Sequence, residues 1–152
     1  MYVGIIHPVW FQLEQYLTNN IILYTSKMKY IKKLGICMDH SNAFLMELKN
    51  DTILTNRVIS ENTHQESQYN LYKGEKLIHK KEQHLQLSYY KKLSEIIRNY
   101  NEVVLFGPTD AKNELFNLLK TYNLFVNIKI EVRQSDKLTE KQMQTFAREY
   151  FM

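Results

Sequence analysis

A chain of 152 residues is the length of one ordinary domain and can bury about two thirds of the surface its unfolded form exposes, so it needs no staple to fold. A hydrophobic share of 44% with 24% charged, 4 Gly and 2 Pro excludes low-complexity sequence, and the single cysteine, Cys37, excludes an internal disulfide. The formal charge of +4 and a pI near 9.0 tilt the partners towards nucleic acid without demanding one.

Met1 to Lys27 differs from the rest. It holds one acid, Glu14, and one Lys or Arg, Lys27, and mixes Trp10, Phe11, Tyr16 and Ile21 to Tyr24 with Asn and Gln in no sustained period. No cation precedes its apolar part and no small-residue cleavage site follows, so it is not a secretory signal. Glu14, Gln12, Gln15, Asn19 and Asn20 interrupt any run long enough to span a membrane. Residues 1–27 are expected to be an extension, either an over-extended reading frame with Met28 as the true start or a loosely docked appendage. Residues 28–152 are expected to form one α/β domain.

From Leu34 the pattern is regular. Leu34 to Met38 is a short apolar strand, Asp39-His40-Ser41-Asn42 supplies turn residues, and Ala43 to Leu48 is a second strand. Asn50-Asp51 makes another turn before a third strand, Thr52 to Ser60, rich in β-branched residues. Connections this short make the three strands antiparallel neighbours. Cys37, inside the first apolar run, fits a buried thiol in a reducing cytoplasm better than a reactive one.

Glu61 to Ile78 is polar, with apolar groups too scattered to form a face, and reads as a loop. A loop of this length is either functional or without fixed structure. Lys80 to Tyr100 then has helical spacing, with Leu85, Tyr89, Leu93, Ile96, Ile97 and Tyr100 on one face. Tyrosines on such a stripe belong to the core edge, so Tyr89 and Tyr100 receive no binding role.

Val103-Val104-Leu105-Phe106 lacks polar alternation and suits a central strand covered on both faces. The Gly107-Pro108 corner follows, then a helix that Thr109 or Asp110 can cap, facing inward with Ala111, Leu115, Leu118, Leu119 and Tyr122. Val126, Ile128, Ile130 and Val132 alternate with polar residues, the pattern of a strand nearer an edge. A last helix starts at Thr139, where Gln142 completes a capping box, Leu138 and Met143 can staple the entry, and Met143, Phe146, Ala147 and Tyr150 face inward. The order β-β-β-α-β-α-β-α with right-handed crossovers gives a mixed five-stranded sheet with helices on both faces. This is a three-layer α/β arrangement, ribonuclease H-like.

Asp39 follows the first strand, where nucleases of that architecture place a metal-binding carboxylate. A two-metal site needs several converging acids. The Val103 strand ends in Gly107-Pro108 without one, Asp110 suits a helix start, and Glu82 and Glu95 suit an exposed helix face. Asp39, with Ser41 and Asn42, is better explained as turn chemistry and is at most a weak metal candidate. Gly107-Pro108-Thr109 could present amides to a phosphate, but the Gly-x-x-x-x-Gly-Lys pattern is missing and the proline removes a donor. His40, His64, His79 and His84 have no metal-ligand spacing, since His79 and His84 lie five apart. No Ser-His-Asp or Cys-His set can be nominated from spacing, and no cofactor is called for.

The remaining signal is positive charge. Lys73, Lys76, His79, Lys80, Lys81 and His84, followed by Lys91 and Lys92, gather where the polar loop meets the long helix, diluted by Glu75 and Glu82. Such a cluster either meets phosphates or is a solvated helix face.

These residues carry a family resemblance. From about Lys33 to Phe151 the chain resembles the middle domain of archaeal and eukaryotic peptide-chain release factors and pelota-like proteins, most closely small bacterial relatives. The similarity lies in Leu34 to Asp39, in the polar loop leading into HKKEQHLQLSYYKKLSEII, and in Gly107-Pro108-Thr109-Asp110-Ala111-Lys112-Asn113-Glu114-Leu115. Release factors carry Gly-Gly-Gln in that loop. Here Glu61 to Ile78 holds only Gly74, so peptide release is not implied. The resemblance implies a non-catalytic, cytoplasmic protein related to translation factors, RNA-binding or ribosome-associated. Its partner would be the ribosome or tRNA, met through Lys73, Lys76, His79, Lys80, Lys81 and His84. The alternatives are a metal-dependent nuclease using Asp39, or a protein-binding module that offers the exposed half of the Val126 strand as an edge.

Overall fold

The computed structural model describes residues 12–17, 31–50, 52–60 and 75–152, with side chains in the last range from Lys80 onward. The chain divides into two compact units, Met1–Tyr30 and Ile31–Met152. In the first, residues 12–17 are helical. Most of the expected extension, and the loop from Glu61 as far as Gly74, lie outside the described residues.

The second unit contains strands β1 (Lys33–Met38), β2 (Asn42–Lys49) and β3 (Thr52–Ile59), helix α1 (Glu75–Ile97), strand β4 (Glu102–Gly107) and helix α2 (Ala111–Lys120). A 3-10 turn (Asn123–Phe125), strand β5 (Lys129–Gln134) and helix α3 (Glu140–Phe151) complete it. The sheet order is β3-β2-β1-β4-β5. β1 runs antiparallel to β2, with Ile36 opposite Leu45, and parallel to β4, with Ile36 opposite Leu105. β4 runs parallel to β5, with Leu105 opposite Val132. This is the expected mixed, ribonuclease H-like sheet.

β1 and β4 sit centrally and are apolar on both faces because both faces are covered. Leu34, Ile36, Met38, Val103 and Leu105 meet Tyr89, Tyr90, Leu93 and Ile97 of α1 and Ala111, Leu115 and Leu119 of α2. Cys37, Met46, Val104 and Phe106 form the opposite core with Ala147 and Phe151 of α3. There Phe106 stacks on Phe146 with ring centroids 4.3 Å apart. Each fully buried aliphatic or aromatic chain contributes about 1.5–3 kcal/mol. α3 lies so near β1 that a Cβ on Gly35 would come 2.9 Å from the Ala147 Cβ.

α3 begins as expected. The Gln142 N–H donates to Thr139 Oγ1 at 3.4 Å while the Thr139 N–H donates to Gln142 Oε1 at 2.8 Å, and Leu138 and Met143 both pack on the α3-side core.

Three expectations shift. α1 starts at Glu75 rather than Lys80, so the helix takes up the end of the expected loop. β5 starts at Lys129 rather than Val126, because the 3-10 turn buries Phe125 first and leaves Val126 79% exposed. Tyr122, just beyond α2, is 51% exposed rather than inward. One face of β5 is densely charged. Lys129 Nζ lies 2.6 Å from Glu102 and 3.5 Å from Glu131, and Arg133 lies 2.8 Å from Glu131.

Candidate nucleic-acid interface

At the end of β1, Asp39 is occupied by its own turn. Its Oδ1 accepts from the N–H groups of Ser41 and Asn42, both at 2.7 Å, and its N–H donates to the Asn42 carbonyl at 2.9 Å. The Tyr89 hydroxyl donates to the Asp39 carbonyl at 3.2 Å. These bonds are those of an Asx turn that starts the β1–β2 hairpin.

The neighbouring acids are similarly engaged. Asp110 accepts from Asn113 Nδ2 at 2.6 Å. Glu114 on α2 accepts from the Tyr90 hydroxyl at 2.7 Å and Gln86 Nε2 at 3.0 Å, both on α1, while His40 Nε2 lies 3.2 Å from its other oxygen. The cluster ties the β1–β2 turn, α1 and α2 together. Burial, then the bond to Glu114, pushes the Tyr90 phenol above its ordinary range. Burial, then the charge of Asp39, pushes the Cys37 thiol up to about 11, which keeps it protonated at neutral pH. Among the described residues no group of three or more His, Cys, Asp or Glu is placed to hold a metal ion.

The Gly-Pro corner after β4 is shaped by packing. Gly107 has φ +143°, and a Cβ there would lie 2.2 Å from the Met38 carbonyl oxygen, so β4 can pass the end of β1 only without a side chain. Asp110 stands at the N-cap of α2 with no side-chain cap bond. Lys112 is 2% exposed, and its Nζ turns back to donate to the Thr109 carbonyl at 2.5 Å. The ammonium is therefore buried with its stem, and the Thr109 carbonyl supplies it with an acceptor there.

The basic cluster lies on α1. Lys73 is outside the described residues, and Lys76 and His79 fall in the first turns of the helix. Lys80, Lys81 and His84 are exposed. A spacing of four places Lys80 and His84 on one stripe, which Leu87, 56% exposed, and Lys91 continue. The stripe leads into a groove of about 430 Å³ between α1 and the region after α2, whose lining includes Leu87, Lys91, Arg98, Tyr122 and Phe125, with the carboxylate of Glu95 between the two cations. In the sequence Arg98 carries no signal, and Tyr122 reads only as an inward position of the second helix, which its 51% exposure corrects. The signal that could have found them is the end of α2 at Lys120, which puts Tyr122 past the last inward turn. Such a row of cations ending at an exposed aromatic ring can take phosphates along the helix and an unpaired base at the ring.

No helix among the described residues is long and apolar enough to cross a membrane. No protein-family profile and no curated protein matches the chain. Among solved structures it is similar to the Pelota protein of Thermoplasma acidophilum, at 15% identity and a TM-score of 0.50 over 84% of this chain. It is also similar to Pelota of Archaeoglobus fulgidus, at 7% identity and a TM-score of 0.52 over 87% of this chain. The match covers 35% of each Pelota chain, so this protein spans about a third of their length. At such low identity the likeness is one of fold, and the fold is that of a Pelota-like domain.

Proposed function

We propose that this protein is a translation-related, ribosome-associated RNA-binding protein of the cytoplasm, built on the middle domain that release factors and Pelota-like proteins share. The observation that carries the proposal is the exposed basic stripe of α1, with Lys80 and Lys91 in line and His84 between them, on a Pelota-like fold. In this proposal Lys73, Lys76, His79 and Lys81 add further basic groups beside the stripe for the phosphate backbone. Each neutralised phosphate adds sequence-independent attraction that falls with salt. Tyr122, beside Lys91 and Arg98 in the groove, serves as a stacking platform for an unpaired base.

The proposal includes no catalytic step. The loop before α1 holds only Gly74 and lacks the Gly-Gly-Gln that peptide release uses, and Asp39 already accepts two backbone donors in its turn. Sedimentation of tagged protein through a sucrose gradient, at low and at moderate salt, tests association. Co-migration with ribosomal particles that weakens with salt is expected. Absence from those fractions at both salts, with no RNA crosslinks, refutes it.

A further inference from the structure

The two outer strands of the sheet are protected very differently. β5 carries Lys129, Glu131 and Arg133, engaged in ion pairs along its length. β3, with sequence TILTNRVI, has one charged residue, Arg57, no proline and no lysine across 8 residues. Leu54 and Ile59 on it are 50% and 48% exposed. A long, weakly charged edge strand is a ready template for pairing with another strand.

The backbone direction follows from the ladder with β2. The Ser60 N–H donates to the Ser41 carbonyl at 2.7 Å, continuing the register that sets Asn42 opposite Ile59. Alternation along an antiparallel pair then gives the β2-facing bonds to Thr52, Leu54, Asn56 and Val58. The N–H and C=O groups of Ile53, Thr55, Arg57 and Ile59 point away from the sheet.

We infer that β3 pairs antiparallel with β3 of a second copy of this chain, about a two-fold axis through Asn56. That register is self-complementary. It sets Ile53 against Ile59, Leu54 against Val58 and Thr55 against Arg57, with Asn56 facing its own copy. The outward-facing positions then pair with one another and form about eight backbone hydrogen bonds. Ile53 already packs on the α3-side core and Val58 on the α1-side core, so the new pairs extend both cores and cover Leu54 and Ile59. The adjacent registers are worse. An axis through Arg57 sets two guanidinium groups face to face, and one through Thr55 sets Arg57 against Ile53. Like charges directly opposite destabilise a strand pair, and apolar pairs stabilise it.

The inference goes beyond RNA binding and does not use the α1 stripe, so either can fail alone. Its test is analytical ultracentrifugation of the full chain from low micromolar to submillimolar concentration. The mass is expected to rise from 18.3 kDa towards twice that value. Thr55→Pro removes an outward N–H and leaves the β2 ladder untouched, at the loss of the bond that the Thr55 hydroxyl accepts from Gln144 Nε2 at 3.0 Å, and should weaken self-association at least tenfold while circular dichroism stays unchanged. Asn56→Lys places two ammonium groups across the axis and should weaken it several-fold. An equimolar mixture of Asn56→Lys and Asn56→Glu should associate more tightly than either variant alone. A monomer at every concentration overturns the inference. So does a dimer that Thr55→Pro leaves intact, or one in which the mixed Asn56 variants gain nothing.

Discussion

Replacing Gly107 by alanine tests the corner that joins β4 to α2. Two costs add. A non-glycine residue held at positive φ costs about 1–3 kcal/mol. The new methyl would also sit 2.2 Å from the Met38 carbonyl oxygen and 3.1 Å from the Met38 backbone N and C, atoms fixed in β1, which is paired on both sides. Forcing the two strand ends apart resembles overpacking a core, at about 1–3 kcal/mol. The sum is about 4 kcal/mol, a large share of the roughly 5–15 kcal/mol available to a domain. In a domain of this size it corresponds to a fall in Tm of about 8–16 °C. Urea and thermal unfolding by circular dichroism measure it. Gly35→Ala is the contrast, because its φ is ordinary and its 2.9 Å contact is to the side chain of Ala147, so Gly35→Ala combined with Ala147→Gly should recover most of the loss. A cost below about 1 kcal/mol for Gly107→Ala would refute the account of the corner.

Thr139→Ala removes the capping box of α3 and should cost about 1 kcal/mol, read as a Tm fall of about 2–4 °C. If RNA meets the α1 stripe, Lys80→Ala and Lys91→Ala should each lower the slope of log K against log salt by about 0.7 on single-stranded RNA. Tyr122→Ala should weaken binding about tenfold with the slope unchanged. Slopes that stay put in both lysine variants would move the contact elsewhere. Alkaline pH should destabilise the fold. Burial raises Cys37 from 9.0 to about 11 and Tyr100 from 10.0 to about 12, so the unfolded chain loses these protons first. Their contribution is complete below pH 9 and is lost as pH rises through about 11 to 12. A urea midpoint that stays flat over this window would contradict it, as would fast reaction of native Cys37 with a thiol reagent at neutral pH.

The fold was legible where local signals agreed with one another. Val103 to Phe106 carries no polar residue because both its faces are covered, and the short turns at Asp39 and Asn50 permit only antiparallel neighbours. Thr139 and Gln142 mark a helix start by a hydrogen-bond pattern that needs no tertiary context. What went unread depended on neighbours distant in sequence. The first turn of α1 shows no apolar periodicity. Val126 to Val132 alternates like a strand, but Phe125 is buried first in a 3-10 turn, which delays β5 to Lys129. Nothing in the sequence marks Lys112 for burial, which becomes possible only because the Thr109 carbonyl accepts from its ammonium. The cations of α1 were legible as a cluster. Their alignment with Arg98 and Tyr122 was not, because Tyr122 comes to the groove from another element.

The charged face of β5 has a consequence for how far the sheet can grow. In a pair of copies joined through β3, both free ends of the combined sheet are β5 strands, and both present the ion pairs of Lys129, Glu131 and Arg133. A further copy would have to strip those pairs of water and meet their charges on an incoming strand. The assembly therefore has a valence of one per chain. It closes as a two-fold object and offers no open end from which a fibre could elongate.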